Sequence, residues 1–325
     1  MSRAKRIESL LLTPNDAELE YLVTPILGKT WLERLLTAAV KARVKSVLLF
    51  LPVKEEKVHQ LARNLAIQLP LRLEIINTQK QFSIWTQVRQ TRARQGERSV
   101  WISSSLLEPE FVIEQLASFQ AEVVLGVCPK LSSKLGAAHI KGKFVDKVKV
   151  TAEGKECLPL TGSYLLTLTF WENCPDVIEN EKQWLALLSE QARIGVVKTC
   201  VFEQAPDDGR LLLERDDWHY LAAQYFWKQE HAGSGIQVSD QAEVAPTARL
   251  LGDVYLEKGV RVGEFCVLRG PVYLGSEVQI ADFTRIEASF IEEKSELGIR
   301  VDVAGKWLPA ESKVSCRRAV KIEKR

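Results

Sequence analysis

The chain of 325 residues carries 44 Lys and Arg against 42 Asp and Glu, a formal net charge of +2. That balance excludes a general electrostatic attraction to nucleic acid or to a membrane surface. The length suits about two domains with a sizeable core, and no segment approaches the ~20 apolar residues that span a bilayer.

The apolar run Leu10 to Leu12 behind the basic start is too short for a signal peptide. Residues Ile7 to Thr13 read as a first buried strand, followed by the turn-forming cluster Thr13-Pro14-Asn15-Asp16. Trp31 to Ala42 places Leu32, Leu35, Leu36, Ala39 and Val40 at helical spacing, and Val44 to Leu51 follows as an apolar strand. Lys54 to Leu69 is predicted helical, Leu71 to Ile76 a strand, Phe82 to Gln95 a helix, Ser99 to Ser103 a strand, Glu108 to Ser118 a helix and Ala121 to Val127 a strand. This alternation predicts an α/β domain built on a mainly parallel sheet. Six scattered cysteines show neither a Cys-x-x-Cys pair nor zinc spacing, so reduced thiols in a cytoplasmic protein are expected.

From Val238 onward the pattern changes. Every sixth residue is aliphatic: Val238, Val244, Leu250, Leu256, Val262, Leu268, Leu274, Ile280 and Ile286. Four places after each stands a second column, Ala242, Ala248, Val254, Val260, Cys266, Val272, Val278 and Thr284, ending in Phe290. Period six fits neither a helix nor a free strand, and a β-sandwich gives no reason for it. It suits a coil with three short flat faces per turn, each turn buried only by the next. The aliphatic residues are expected to point inward, with Gly263 and Gly275 at corners that need permissive backbone angles. Glu292 breaks the column, and Leu297 and Val303 continue it only with a one-residue slip, so Glu292 to Val314 reads as a degenerate last turn or cap. Arg317-Arg318, Lys321 and Lys324-Arg325 form a short basic tail.

The two columns resemble the hexapeptide repeat of left-handed parallel β-helices, found in acyltransferase and sugar-nucleotide enzyme families. Leu27-Gly28-Lys29-Thr30-Trp31-Leu32-Glu33 is similar to the Gly-Lys-Pro helix start of sugar-phosphate nucleotidyltransferases. Thr161-Gly162-Ser163-Tyr164 resembles that family's sugar-binding segment, and Asp216 to Trp227 its closing helix. The family commonly appends such a β-helix in this order. The resemblance implies a Rossmann-like nucleotide-diphospho-sugar transferase domain (GT-A-like) over residues 1–230, a left-handed β-helix over 236–316 and a tail over 317–325.

The chemistry that the resemblance implies is missing at its key positions. The family wraps a triphosphate with a Gly-rich loop and an Arg, whose backbone donors and charge neutralise the phosphates. The matching stretch Thr13 to Tyr21 has no Gly and no Arg, and it carries Asp16, Glu18 and Glu20. The family's Pro-Lys is matched by Thr24-Pro25-Ile26, without the lysine. Two aspartates should hold the divalent metal; Ser103-Ser104-Ser105 stands at the first position and Glu214 is the nearest acid to the second. What remains of a nucleotide and sugar pocket is Thr13, Asn15, Glu153, Lys155 and Gly162, with no catalytic residue and no metal ligand expected. The histidines His59, His139, His219 and His231 all precede the repeats, so the β-helix lacks the general base of the acyltransferases.

Three functions follow as expectations. The first is a regulatory, sensor or scaffold protein with a silent nucleotidyltransferase-like domain, for which the family offers a precedent in the silent subunit of eukaryotic mannose-1-phosphate guanylyltransferase. Such a chain needs no cofactor. Its expected partners are copies of itself or an active nucleotidyltransferase relative, with a nucleotide-sugar as ligand and neither nucleic acid nor membrane. The second is a divergent, Mg²⁺-dependent nucleotidyltransferase joining a sugar 1-phosphate to a nucleoside triphosphate. The third is a hexapeptide acyltransferase, disfavoured by the absent histidine.

Overall fold

The structure, a computed structural model, describes residues 6–14, 18–102, 109–127, 137–141, 144–149, 157–201 and 217–315. The chain divides into two compact units, Met1–Val23 with Leu32–Arg210, and Thr24–Trp31 with Leu211–Arg325.

The first unit is built on a nine-stranded sheet. Its centre is β1 (Ser9–Leu12), hydrogen-bonded in parallel to β4 (Ser46–Pro52) on one side and β6 (Arg98–Ile102) on the other. β5 (Arg72–Thr78) extends the sheet beyond β4. Past β6 lie the long strand β10 (Cys157–Thr167), then β7 (Val123–Val127) and β11 (Val197–Val201), with β10 antiparallel to both its neighbours. The hairpin of β8 (Ala137–Lys141) and β9 (Phe144–Lys149) hangs from β10. Central strands such as Ser-Val-Leu-Leu-Phe-Leu-Pro are apolar without alternation because both sheet faces are covered. The covering helices include α2 (Trp31–Lys41), α3 (Glu56–Gln68), α6 (Pro109–Ala117) and α8 (Glu181–Arg193). The helix expected over Phe82 to Gln95 is two, α4 (Ile84–Gln90) and α5 (Arg92–Gln95), because Thr91 leaves the helical region and turns its hydroxyl back onto the Val88 carbonyl at 2.8 Å. Beneath the sheet, Trp101, Tyr164, Phe170, Trp171 and Trp184 form one aromatic cluster, with Trp101 and Trp184 centroids 5.2 Å apart.

The second unit contains the period-six stretch, and the strands pair in parallel at the interval of one turn. Glu243 pairs with Arg261, and Arg261 with Gln279, each 18 residues on. One face stacks β13 (Glu243–Val244), β16 (Arg261–Val262), β18 (Gln279–Ile280), β20 (Glu296–Leu297) and β23 (Lys313–Val314). The other two faces share a seven-stranded sheet in which β17 (Val267–Leu274) and β19 (Arg285–Ile291) each bend round a corner. The pairing interval then shortens from 18 residues to 17. Leu268 still pairs with Ile286, but Leu274 pairs with Ile291, and Gln279 with Glu296. The slip read in the sequence is therefore real, and a second follows it, since Phe290 pairs with Trp307 and Glu296 with Lys313 again at 17; residues 292–314 continue the coil as a shortened, degenerate turn.

Val238 stands in register with the inward Leu256 but is 41% exposed, because it lies on the first turn, where no earlier turn covers it. One expectation about the coil is corrected. Gly263 and Gly275 do not supply left-handed corners. A Cβ on Gly275 would stand 2.7 Å from the Glu293 backbone nitrogen, and one on Gly263 would stand 2.9 Å from that of Asp282. These glycines admit the backbone of the next turn. The left-handed corner positions include Phe265, Glu277, Phe283, Lys294, Arg300 and Glu311. At most of them the corner N–H donates to a carbonyl one turn below, as Phe283 does to Glu264 at 2.9 Å and Arg300 to Asp282 at 3.0 Å. A bond gained at each corner offsets the strain of a side chain at positive φ.

The helix read as closing the first domain, α9 (Trp218–Glu230), clusters with the coil in the second unit. Tyr220 donates to the Ala288 carbonyl at 3.0 Å, and His219 stacks on Trp307 at 4.2 Å. The same unit holds a small hairpin of β2 (Pro25–Ile26) and β3 (Lys29–Thr30), whose turn residues Leu27 and Gly28 both have positive φ.

Candidate functional site

In an open α/β sheet, ligands bind outside the carboxyl ends of the strands where the strand order reverses. Here that point lies between β1 and β6, since the chain proceeds from β1 outward through β4 and β5 and returns to β6 on the other side. Thr13 stands at this edge, its N–H bonded to the Ile102 carbonyl at 3.1 Å. Gly162 is brought to the same edge, because its neighbour Ser163 pairs with Ile102 across β10 and β6. Two of the five residues expected to form a pocket are thus placed together. Asn15, Glu153 and Lys155 lie outside the described residues.

The environment of those two residues is closed. Thr13 is buried, and its hydroxyl accepts from the Trp101 indole at 2.8 Å. Gly162 has φ +77 at an irregularity in the β10–β7 pairing, between Thr161 and Ser163, whose hydroxyls bond to each other at 2.8 Å. The cavity lined by Leu12, Thr13, Pro14, Glu18 and Ile102 measures about 10 Å³, room for about one water. Its one acid, among the described lining residues, is the buried Glu18. A divalent ion bridging phosphates wants several anionic oxygen ligands and open coordination positions. The described residues, hydroxyls tied to indole and to each other with one buried carboxylate, do not by themselves fit that ion.

The second unit holds a polar centre that the sequence reading passed over. The single-residue slip puts Ile291 into the inward column and turns Glu292 the other way, yet Glu292 is only 1% exposed. Its Oε1 accepts from the Leu27 N–H at 2.7 Å and from the Trp307 indole at 3.0 Å, and its Oε2 accepts from the Gly28 N–H at 3.1 Å. Burial raises its carboxyl to about 7, outweighing those three donors, with Glu257 nearby pushing the same way. Glu257 accepts from the Tyr273 hydroxyl at 2.7 Å and also binds Ser276. A Cβ on Gly28 would meet that tyrosine oxygen at 2.7 Å, so the turn has room for glycine alone. The Gly-Lys pair that resembles a nucleotidyltransferase motif is therefore engaged internally: Gly28 by Glu292, and Lys29 by Glu230 at 3.4 Å. The available signal was an acid at a position where period six calls for an aliphatic residue.

Among the described residues the thiols offer no nucleophile. Cys157, Cys174, Cys200 and Cys266 are buried and unbridged, and desolvation pushes Cys174 up to about 12 and Cys200 to about 11. No helix among the described residues is long and apolar enough to cross a membrane.

No protein-family profile and no curated protein sequence matches this chain. Solved structures do. An inositol-1-phosphate CTP transferase from T. maritima matches with a TM-score of 0.50 at 10% identity, over 68% of this chain and 96% of its own. HddC from Yersinia pseudotuberculosis matches with a TM-score of 0.47 at 15% identity, over 68% of this chain and 99% of its own. A Bacillus anthracis protein described as a glucose-1-phosphate thymidylyltransferase matches with a TM-score of 0.46 at 10% identity, over 60% and 87%. Only the first likeness carries weight, and it establishes a nucleotidyltransferase-like fold; at that identity it says nothing of activity.

Proposed function

We propose that this chain is a nucleotidyltransferase-like protein of nucleotide-sugar metabolism that has lost catalysis and serves in the cytoplasm as a regulatory, sensor or scaffold subunit. The observation that carries the reading is the strand-end edge of the first unit. There the Thr13 hydroxyl accepts from the Trp101 indole in the core, and the cavity beside it, among the described residues, is about 10 Å³. The sequence agrees, with no Gly-rich loop and with serines at the metal position. We read the second unit as a left-handed β-helix of hexapeptide repeats serving assembly. The 18-residue register and the left-handed corners support it.

The test is a thermal-shift series on the full chain with each nucleoside triphosphate plus Mg²⁺, and with nucleotide-sugars alone, paired with a pyrophosphate-release assay using sugar 1-phosphates. The expected result is no pyrophosphate release and no Mg²⁺-dependent shift. A shift with a nucleotide-sugar alone, by preferential binding to the folded state, assigns the sensor role; no shift with any ligand assigns the scaffold role. Pyrophosphate release with any triphosphate overturns the reading in favour of a divergent enzyme.

A further inference from the structure

The face made of β13, β16, β18, β20 and β23 is a five-rung ladder of regular spacing. Its outward residues form two columns. One reads Glu243, Arg261, Gln279, Glu296, Lys313, and all five are exposed. The other, two residues further along each strand, reads Ala245, Gly263, Ala281, Gly298, Ser315. The small column makes the floor of an open groove of about 960 Å³ that runs the length of the face. With strands about 4.8 Å apart, the ladder is about 19 Å long.

The long column has a symmetry of its own. Its charges run minus, plus, neutral, minus, plus, and reversing the order pairs every charge with its opposite. From this self-complementarity we infer that the face is an isologous interface with a second copy of this chain, the two coils lying antiparallel. A two-fold axis along the strand direction at the third rung sets Glu243 against Lys313, Arg261 against Glu296 and Gln279 against itself. The same operation sets small column against small column, which lets two sheets approach closely. Isologous pairing requires that residue i meet j while j meets i, and this ladder satisfies it at every rung.

The border of the face fits the same axis. Its corner column reads Thr247, Phe265, Phe283, Arg300. Phe265 and Phe283 are 55% and 51% exposed and stack on each other at 5.2 Å, with the Arg300 guanidinium 5.6 Å from the Phe283 ring centre. The axis brings Phe283 beside its mate and Phe265 beside Arg300, pairing exposed rings with a ring and with a cation. The opposite border is less favourable, since Glu277 meets its own mate there, but it is open to solvent and screened by salt. Within one chain, Arg261 already reaches Glu243 at 3.4 Å and Lys313 reaches Glu296 at 3.1 Å. Those surface pairs hold little energy and leave the heads free to be shared with a partner.

This names the partner and the face for the assembly role proposed above, and it stands or falls separately from the loss of catalysis. Sedimentation velocity over a concentration series is expected to show a dimer of the full chain. Arg261→Glu creates two like-charge contacts per dimer, and so does Glu296→Arg; each is expected to raise the dimer dissociation constant at least tenfold without changing the circular dichroism. Mixing the two variants is expected to restore a dimer, because in that heterodimer every charged rung again opposes unlike charges. Independently, in a Cys316→Ser background, Gln279→Cys is expected to form a disulfide-linked dimer with itself, whereas Glu243→Cys links only when mixed with Lys313→Cys. A monomer at all concentrations, a trimer, or a dimer indifferent to both single reversals overturns the inference. A dimer behaving as expected in an enzymatically active protein leaves it intact and sinks only the proposal about catalysis.

Discussion

The sheet of the first unit is covered by helices, whereas the coil of the second unit is covered by its own next turn. The difference shows in what each region tolerates. In the sheet, apolar strands such as Ser46–Pro52 are held by general hydrophobic burial, which accepts many sequences of the right volume. In the coil, each residue repeats its neighbour's environment one turn on, so a local change is read by everything above it. The loss of one residue near Ala288 shifts the positions that follow: Ile291 enters the core and Glu292 leaves it, and a second loss one turn on, near Gly305, keeps the later rungs pairing at 17 rather than 18. The coil turns that change to use. The displaced glutamate becomes the clasp for Leu27 and Gly28.

The comparison is sharpened most by pH. Burial holds the Glu292 carboxyl at about 7 against an ordinary 4.5. Between these values the folded chain keeps a proton that the unfolded chain has released. Its contribution to stability is therefore complete below pH 4.5 and lost as pH rises through 7, up to about 3 kcal/mol in all. Denaturant unfolding of the wild type is expected to show this fall between about pH 4.5 and pH 7 and a plateau above it, and Glu292→Gln to remove it. A wild-type slope retained in that variant would place the titration elsewhere.

Gly275→Ala comes next. The added methyl meets the Glu293 nitrogen at 2.7 Å and the Glu292 carbonyl carbon at 3.0 Å, both backbone, so neighbouring turns must part. A loss of about 2 kcal/mol is expected, read from the urea midpoint. An unchanged midpoint would mean that the turns are less tightly stacked than the sheet they are contrasted with.

The smallest effect belongs to the first unit. Thr13→Val keeps the shape and removes the acceptor of the Trp101 indole, at an expected cost of about 1 kcal/mol. Because Thr13 is committed to the core here, the same variant should leave any nucleotide-sugar affinity unchanged in a binding titration. A selective loss of affinity at unaltered stability would restore Thr13 as a ligand contact.

How much of this was legible depends on the range of the interaction concerned. The alternation of apolar runs and amphipathic stretches fixes the strands and helices of the first unit, because burial and periodicity are local properties. Thr91 is the exception, where a side chain competing for the backbone broke a helix that the pattern favoured. Period six by itself determined the coil, its inward column and even the slip, since each turn must match the one before it. The backbone approach at Gly263 and Gly275 was beyond the sequence, for it depends on atoms one turn away rather than on local angles. So was the closing of the strand-end edge around Thr13, which rests on an indole 88 residues distant. The role of Glu292 lay furthest from view, 265 residues from Leu27 and 264 from Gly28. A sequence shows that a carboxylate interrupts an apolar column; only the tertiary structure decides which donors make its burial affordable, because hydrogen-bond partners are chosen by proximity in space.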